Sequence, residues 1–145
     1  SETHVSGDAA RAFVIMQLSS PFLELYRDVI KPIVEDQFKM RCYVATELYG
    51  PGAILKDIMN SIVEADVIIA EISSANSNVF YELGFASALK KPTILLAERN
   101  TKLPFDISGY RVIFYDDKIS GKKEVEANLI RNLQAVLMRQ GFEGS

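Results

Sequence analysis

The chain is poor in the residues on which many sites are built. It has one cysteine, one histidine and no apolar run approaching the 18 or so residues that a membrane-spanning helix needs. The lone cysteine, Cys42, rules out an internal disulfide framework and fits a reducing compartment. It lies in an apolar, strand-like run and reads as a small core hydrophobe. The histidine, His4, sits in a polar N-terminal stretch, which removes His-based triads, zinc sites and most metal chemistry. The N-terminus also lacks the basic-then-apolar pattern of a signal peptide, so a soluble, cytoplasmic protein is expected. Basic residues are in slight deficit, 16 against 19 acidic, for a net charge of −3. With no basic patch, neither nucleic acid nor an anionic membrane surface is expected as a partner. The sequence starts at Ser1 and not at methionine, as a processed chain or a piece of something larger would.

What is present is an ordinary globular composition, 48% hydrophobic and 24% charged, in 145 residues, which is enough for one domain with a real core and too few for two. Residues 1–10 read as a loose tail and 11–145 as a single domain. Within that domain solid apolar runs alternate with 3.6-residue periodicity. "AFVIMQL" (Ala12 to Leu18), "MRCYVAT" (Met40 to Thr46), "ADVIIAEI" (Ala65 to Ile72), "PTILLA" (Pro92 to Ala97) and "RVIFY" (Arg111 to Tyr115) read as strands, most of them buried on both faces. Helical patterns lie between them. Phe22, Leu25, Val29 and Ile33 mark the first, which Pro32 should kink or end. Ile54, Ile58, Ile62 and Ala65 mark the inner face of the second, after a turn at "YGPG". A third occupies about 77–90 and stops before Pro92; Val125, Leu129, Leu133 and Val136 mark the last.

This order argues an α/β three-layer sandwich in which a parallel sheet is covered by helices on both faces. Five strands fit a flavodoxin-like order of 2-1-3-4-5. In such sheets ligands bind beyond the carboxyl ends of the strands, where the winding direction reverses. That rule selects Gln17 to Ser20, including Ser19, then Thr46 to Gly52, Glu71 to Asn78, and the residues after Ala97. The connection from Glu98 to Tyr110 is long. It reads either as a functional lid, with Phe105 and Asp106 capping the pocket, or as a short helix patching the sheet edge.

One carboxylate is out of place. In "SNVFYELGFA" (Ser77 to Ala86) the apolar arc of the helical wheel holds Phe85, Leu89, Ala86, Val79 and Leu83, and Glu82 falls inside it. Glutamate is seldom buried unless it is paired or put to use. A capping box would need Ser or Thr three residues earlier, where Val79 stands. Asn78 is four residues before Glu82 and shares its face. One half-buried carboxylate with a nearby amide, and neither histidine nor metal, suits little acyl-transfer chemistry. No "GxxxxGK[ST]" loop is present for phosphoryl transfer. Cleavage at a sugar anomeric carbon fits better, because a carboxylate can stabilise or trap a cation-like transition state. Glu71, at the end of the third strand, is either a second acid or a charge reaching solvent.

The block "ADVIIAEISSANSNVFYELGFASALKKPTILL" (Ala65 to Leu96) resembles the central motif of the nucleoside 2-deoxyribosyltransferase-like and TIR-like superfamily. "FVIMQLSSPF" and "LPFDISGYRVIFY" resemble flanking blocks of a TIR-like branch found in bacterial conflict systems, where antiviral defence is the implied role. The resemblance implies a flavodoxin-like fold and cleavage or exchange of the N-glycosidic bond of a nucleoside, a nucleotide or NAD. It implies Glu82 as the catalytic residue, Asn78 and Tyr81 shaping the pocket, and Gln17, Ser19 and Ser20 holding the sugar or phosphate end. NAD or a nucleotide would be substrate, with no further cofactor, and the helix N-termini would hold any phosphate. Self-association, and a sensor domain fused or separate, also belong to what it implies. Glu71 stands where aspartate is usual, and Ser77 and Gln17 where proline is common. A different reading, a non-catalytic nucleotide-binding or self-assembling module, uses the same residues with Glu82 gripping ribose hydroxyls. A redox carrier is weaker, since only Ser19 and Ser20 supply hydroxyls after the first strand.

Overall fold

The computed structural model describes residues 9–140. In chain order its elements are β1 (Arg11–Ile15); α1 (Phe22–Leu25, continuing in π-helical turns Tyr26–Ile30 and Ile33–Gln37); β2 (Arg41–Tyr43); α2 (Ala45–Tyr49); α3 (Leu55–Glu64); β3 (Val67–Glu71); α4 (Ser77–Ala88); β4 (Thr93–Glu98); β5 (Arg111–Tyr115); and α5 (Lys122–Arg139). His4 and most of the expected tail lie outside the described residues. Ala10 already packs against the core, and its carbonyl accepts from the Arg41 N–H at 2.9 Å.

All five strands pair in parallel in the order β2-β1-β3-β4-β5. This is the expected flavodoxin-like sheet. Side chains alternate along each strand, so the core splits into two layers. Val67 and Ile69 of β3 join Val29, Ile33, Leu129 and Leu133 beneath α1 and α5, while Ile68 and Ala70 join Ile62, Val79, Leu83 and Ala86 beneath α3 and α4. The four residues expected to mark α5 are all buried, and the Cys42 thiol, also buried, is pushed up to about 12 by desolvation.

Three expectations need correction. Pro32 does not end α1. The Lys31 N–H reaches back to Tyr26, and that of Phe38 to Ile33, so five-residue turns flank the ring and carry the helix past the missing donor. β2 is only three residues long because Ala45 already starts α2, which Glu47 ties to α1 through Tyr26 Oη (2.5 Å) and Lys31 Nζ (3.2 Å). Ile54 is 58% exposed, since it precedes the first turn of α3 and escapes that helix's inner face.

α4 has sharp ends. Asn76 caps its start, with Oδ1 accepting from the N–H groups of Asn78 (2.8 Å) and Val79 (3.3 Å). At the other end Lys90 takes a left-handed φ of 59°. The Lys90 and Lys91 N–H groups then return to Ser87 and Ala86, closing a Schellman turn just before Pro92.

Candidate active site

The ends of β1 and β3 are neighbours whose loops leave in opposite senses, which is where the winding of the sheet reverses. A cleft of about 220 Å³ opens there, lined by β1 and its following loop (Phe13, Val14, Met16, Gln17, Leu18), by Ala45 and Ile58, and by Asn76, Asn78, Val79 and Glu82. Val79, Leu83 and Ala86 anchor α4 to the sheet, and Glu82, further along the helix, is partly buried and lines the cleft. Among the described residues no hydrogen bond or ion pair holds its carboxylate. Burial alone pushes the group up to about 7.

A chain of amides forms the polar side. Asn76 Oδ1 is committed to backbone donors, so its Nδ2 donates to Gln17 Oε1 (3.2 Å). Gln17 Nε2 in turn donates to Ser19 Oγ (2.9 Å). The preceding residue, Ala75, has a left-handed φ of 54°, a conformation that costs about 1 kcal/mol in a non-glycine residue. That turn sets Asn76 between the two loops. Asn76 was not singled out from the sequence, although an Asn directly ahead of a helical pattern is a preferred N-cap. Nothing in the sequence separates the apolar lining residues Met16, Leu18, Ala45 and Ile58 from ordinary core.

Asn76→Ala is expected to cost about 1 kcal/mol of stability by removing the cap, and to release Gln17. Asn76→Asp keeps the cap acceptor but cannot donate to Gln17. It should therefore restore the urea midpoint without restoring activity. Recovery of both by Asp would rule out the Gln17 contact as a positioning device.

Gln17, Asn78 and Glu82 are thus brought together, with Ser19 linked to them through Gln17. The other candidates lie elsewhere. Ser20 is exposed, and its Oγ donates to Glu24 (2.8 Å). Tyr81 is 57% exposed and does not line the cleft. Asp106 is exposed, and its carboxylate accepts from the Ser108 N–H (2.9 Å), which holds it below its usual range. The connection carrying Asp106 has no helix. Pro104, Phe105 and Tyr110 in it pack on a different flank of α4, at Phe80, Leu83, Gly84 and Ser87, with Phe105 edge-on to Phe80 and Tyr110.

Glu71 neither joins the cleft nor reaches solvent. It is 1% exposed and shares the alternation of Val67 and Ile69, which turns it to the α1/α5 face while Glu82 lies on the α3/α4 side. There it accepts from the Ser73 N–H (2.7 Å), Ser73 Oγ (2.8 Å) and Tyr115 Oη (2.5 Å). Burial raises its pKa and these bonds oppose the rise.

A larger cavity, about 440 Å³, opens at the opposite edge of the sheet beside Lys90, Lys91, Arg111 and Arg139, and among the described residues no carboxylate lines it. The sheet rule and the displaced acid both favour the smaller cleft. Among the described residues no cluster of His, Cys, Asp or Glu is placed to hold a metal ion, and no helix is long and apolar enough to cross a membrane.

The sheet order and its covering helices define a flavodoxin-like α/β fold with its candidate site at the switch point. Among solved structures, the chain is similar to the CMP N-glycosidase BcmB of Clostridium botulinum, at 21% identity over 86% of this chain and 98% of that one, with a TM-score of 0.55. It is also similar to a 2-deoxyribosyltransferase of Bacillus psychrosaccharolyticus, at 16% identity over 81% and 90% of the two chains and a TM-score of 0.55. The lysine decarboxylase LdcF of Francisella novicida matches at 10% identity and a TM-score of 0.50, over 92% of this chain but 18% of its own length. At such identities, and with a decarboxylase among the matches, the likeness is one of fold. No protein-family model and no curated protein sequence matches the chain.

Proposed function

We propose that this chain breaks, or exchanges, the N-glycosidic bond between a base and its ribose, with Glu82 as the catalytic carboxylate. The observation that carries the reading is the placement of Glu82: unpaired, desolvated and directed into the switch-point cleft beside three amides. The fold shared with an N-glycosidase and a deoxyribosyltransferase supports it by analogy.

As the C1′–N bond lengthens, positive charge builds on the anomeric carbon and ring oxygen. The ionised Glu82 stabilises or traps that charge, an effect strengthened by exclusion of water. The bonding pair leaves with the base. In hydrolysis water supplies hydroxide to C1′ and a proton to the base nitrogen; in exchange a second base takes the place of water. Either way no further cofactor is needed. Asn78 orients the sugar, and Gln17 and Asn76 give its hydroxyls amide partners. The TIR-like likeness of the flanking blocks extends the reading to NAD as a substrate and to a role in defence.

The test is chromatographic. Protein at high concentration is incubated with nucleosides, deoxynucleosides, their monophosphates and NAD, beside Glu82→Gln. Free base or nicotinamide, released by the parent and absent with the variant, is the expected result. Equal release by both would remove Glu82 from the mechanism. Binding without release would favour the non-catalytic nucleotide module, in which the carboxylate grips ribose hydroxyls.

A further inference from the structure

A phosphate needs either cations or free backbone donors, and this cleft offers little of either. Among the described residues, lysine and arginine are absent from its lining, and Glu82 is the one charged side chain there. At α4 and α1, two of the helix starts beside it, early donors are already engaged. Two early donors of α4, the N–H groups of Asn78 and Val79, are held by Asn76 Oδ1. At α1, Pro21 has no N–H, and those of Phe22 and Leu23 close onto the Ser19 carbonyl at 2.9 and 3.1 Å. Four of the donors expected to grip a phosphate at the α4 and α1 ends are therefore taken by the protein's own oxygens. A 5′-phosphate would bring between one and two negative charges into a poorly solvated space that already holds a carboxylate.

The rest of the lining has a complementary chemistry. Met16, Leu18, Ala45 and Ile58 make an apolar wall suited to the face of a base, and Gln17, Asn76 and Asn78 supply neutral amides for hydroxyls. At about 220 Å³ the cleft falls below the roughly 300–1,000 Å³ of pockets that enclose drug-sized ligands, so two linked nucleotides exceed it.

We infer that the substrate is an uncharged nucleoside, discriminated from its own 5′-phosphate and from NAD by a cleft that has no cation among the described residues and in which early donors of α1 and α4 are already engaged. The inference rests on the N-glycosidic reading of Glu82 for its chemistry, but not for its choice of ligand. It narrows the substrate range in a direction that the TIR-like likeness alone does not.

Matched pairs test it: cytidine with CMP, adenosine with AMP, the corresponding deoxy pairs, and NAD. For each base the parent cleaves, kcat/KM for the nucleoside should exceed that for the monophosphate by about tenfold or more, and NAD should be the poorest. Monophosphates or NAD cleaved as well as nucleosides would overturn the inference while leaving the glycosidic reading intact. The same ligands titrated against Glu82→Gln read the selection without turnover. Tighter binding of the nucleoside supports the inference, whereas tighter binding of the monophosphate, or of neither, overturns it. If no base is released by the parent while nucleosides bind more tightly, the glycosidic reading fails and the ligand class stands. As a gain-of-function check, Leu18→Arg, which adds a cation to the lining, should move the ratio at least several-fold toward the monophosphate.

Discussion

Glu82→Gln is expected to lower base release by roughly 10³-fold, the upper end of what losing one preorganised electrostatic group costs, and at the same time to make the protein more stable at pH 8. The second effect follows from the raised pKa. In the unfolded chain the group titrates near its ordinary value of 4.5, and in the fold burial pushes it up to about 7. Below the lower value both states are protonated and Glu82 contributes nothing. Between the two, the folded state retains a proton that the unfolded state has released, so stability falls as pH rises. Above about 7 the full cost of a charged, desolvated carboxylate is present. After discounting for partial exposure, that cost is on the order of 2–3 kcal/mol. Glutamine carries no such charge. Denaturation at pH 4.5, 6 and 8 should show the variant and parent converging at low pH and diverging upward, with the variant ahead. A carboxylate retained for structure would give the opposite sign. The parent's kcat/KM should rise with pH and level off above about 7, because the ionised form is the active one.

Tyr115→Phe is expected to have the largest effect on stability alone. Glu71 is fully enclosed, and Tyr115 Oη is one of the donors on which its carboxylate depends. Removing that hydroxyl leaves Oε2 with Ser73 Oγ as its remaining partner, at a cost of about 1–3 kcal/mol. The melting temperature should fall by about 2–4 °C for each kcal/mol. Since the lost donor favoured the ionised form, the deficit should widen as pH rises. Glu71→Leu with Tyr115→Phe removes the buried carboxylate together with its Tyr115 donor, but strands the Ser73 N–H and hydroxyl, so it should recover only part of the loss. Base release should be unchanged. A variant that folds but no longer cleaves would return Glu71 to the chemistry as a second acid.

The architecture was legible because it is written in local periodicity. Solid apolar runs became the strands, β5 coincides with the segment read as "RVIFY", and the four apolar markers of α5 are all buried. Errors fell where a second geometry competed with the simple pattern. Pro32 is accommodated by widened turns, which the spacing of apolar residues does not reveal. Ile54 keeps helical spacing but lies one residue before its helix. For the site, Glu82 stood out because a single wheel placed a charge among apolar residues, and the cleft lies on that face. Glu71 was ambiguous because its role depends on which face β3 turns it to, and on Tyr115, 44 residues away. Counting by twos from Ile69 gives the face; nothing local gives the partner. Asp106 reads equally as a pocket cap or a helix cap because its loop leaves the ligand edge, and only tertiary packing shows its neighbours Pro104 and Phe105 against another flank of α4 while Asp106 itself stays exposed.

The hydrogen bond from Asn76 to Gln17 joins residues 59 positions apart. Local signals are enough to start α4, since its cap and apolar spacing are its own, but a glutamate on a helix free in water is an ordinary acid. The raised proton affinity of Glu82 comes from burial in a cleft that β1 and its loop, Ala45, Ile58 and α4 wall together, so it depends on segments far apart in the chain. During synthesis the cleft cannot assemble until α4 has emerged to lie beside β1 and its loop, since Gln17 and Glu82 line it from opposite ends of that stretch. A protease that separates Gln17 from Asn76 and frees β1 would disarm the site while leaving every residue of α4 intact.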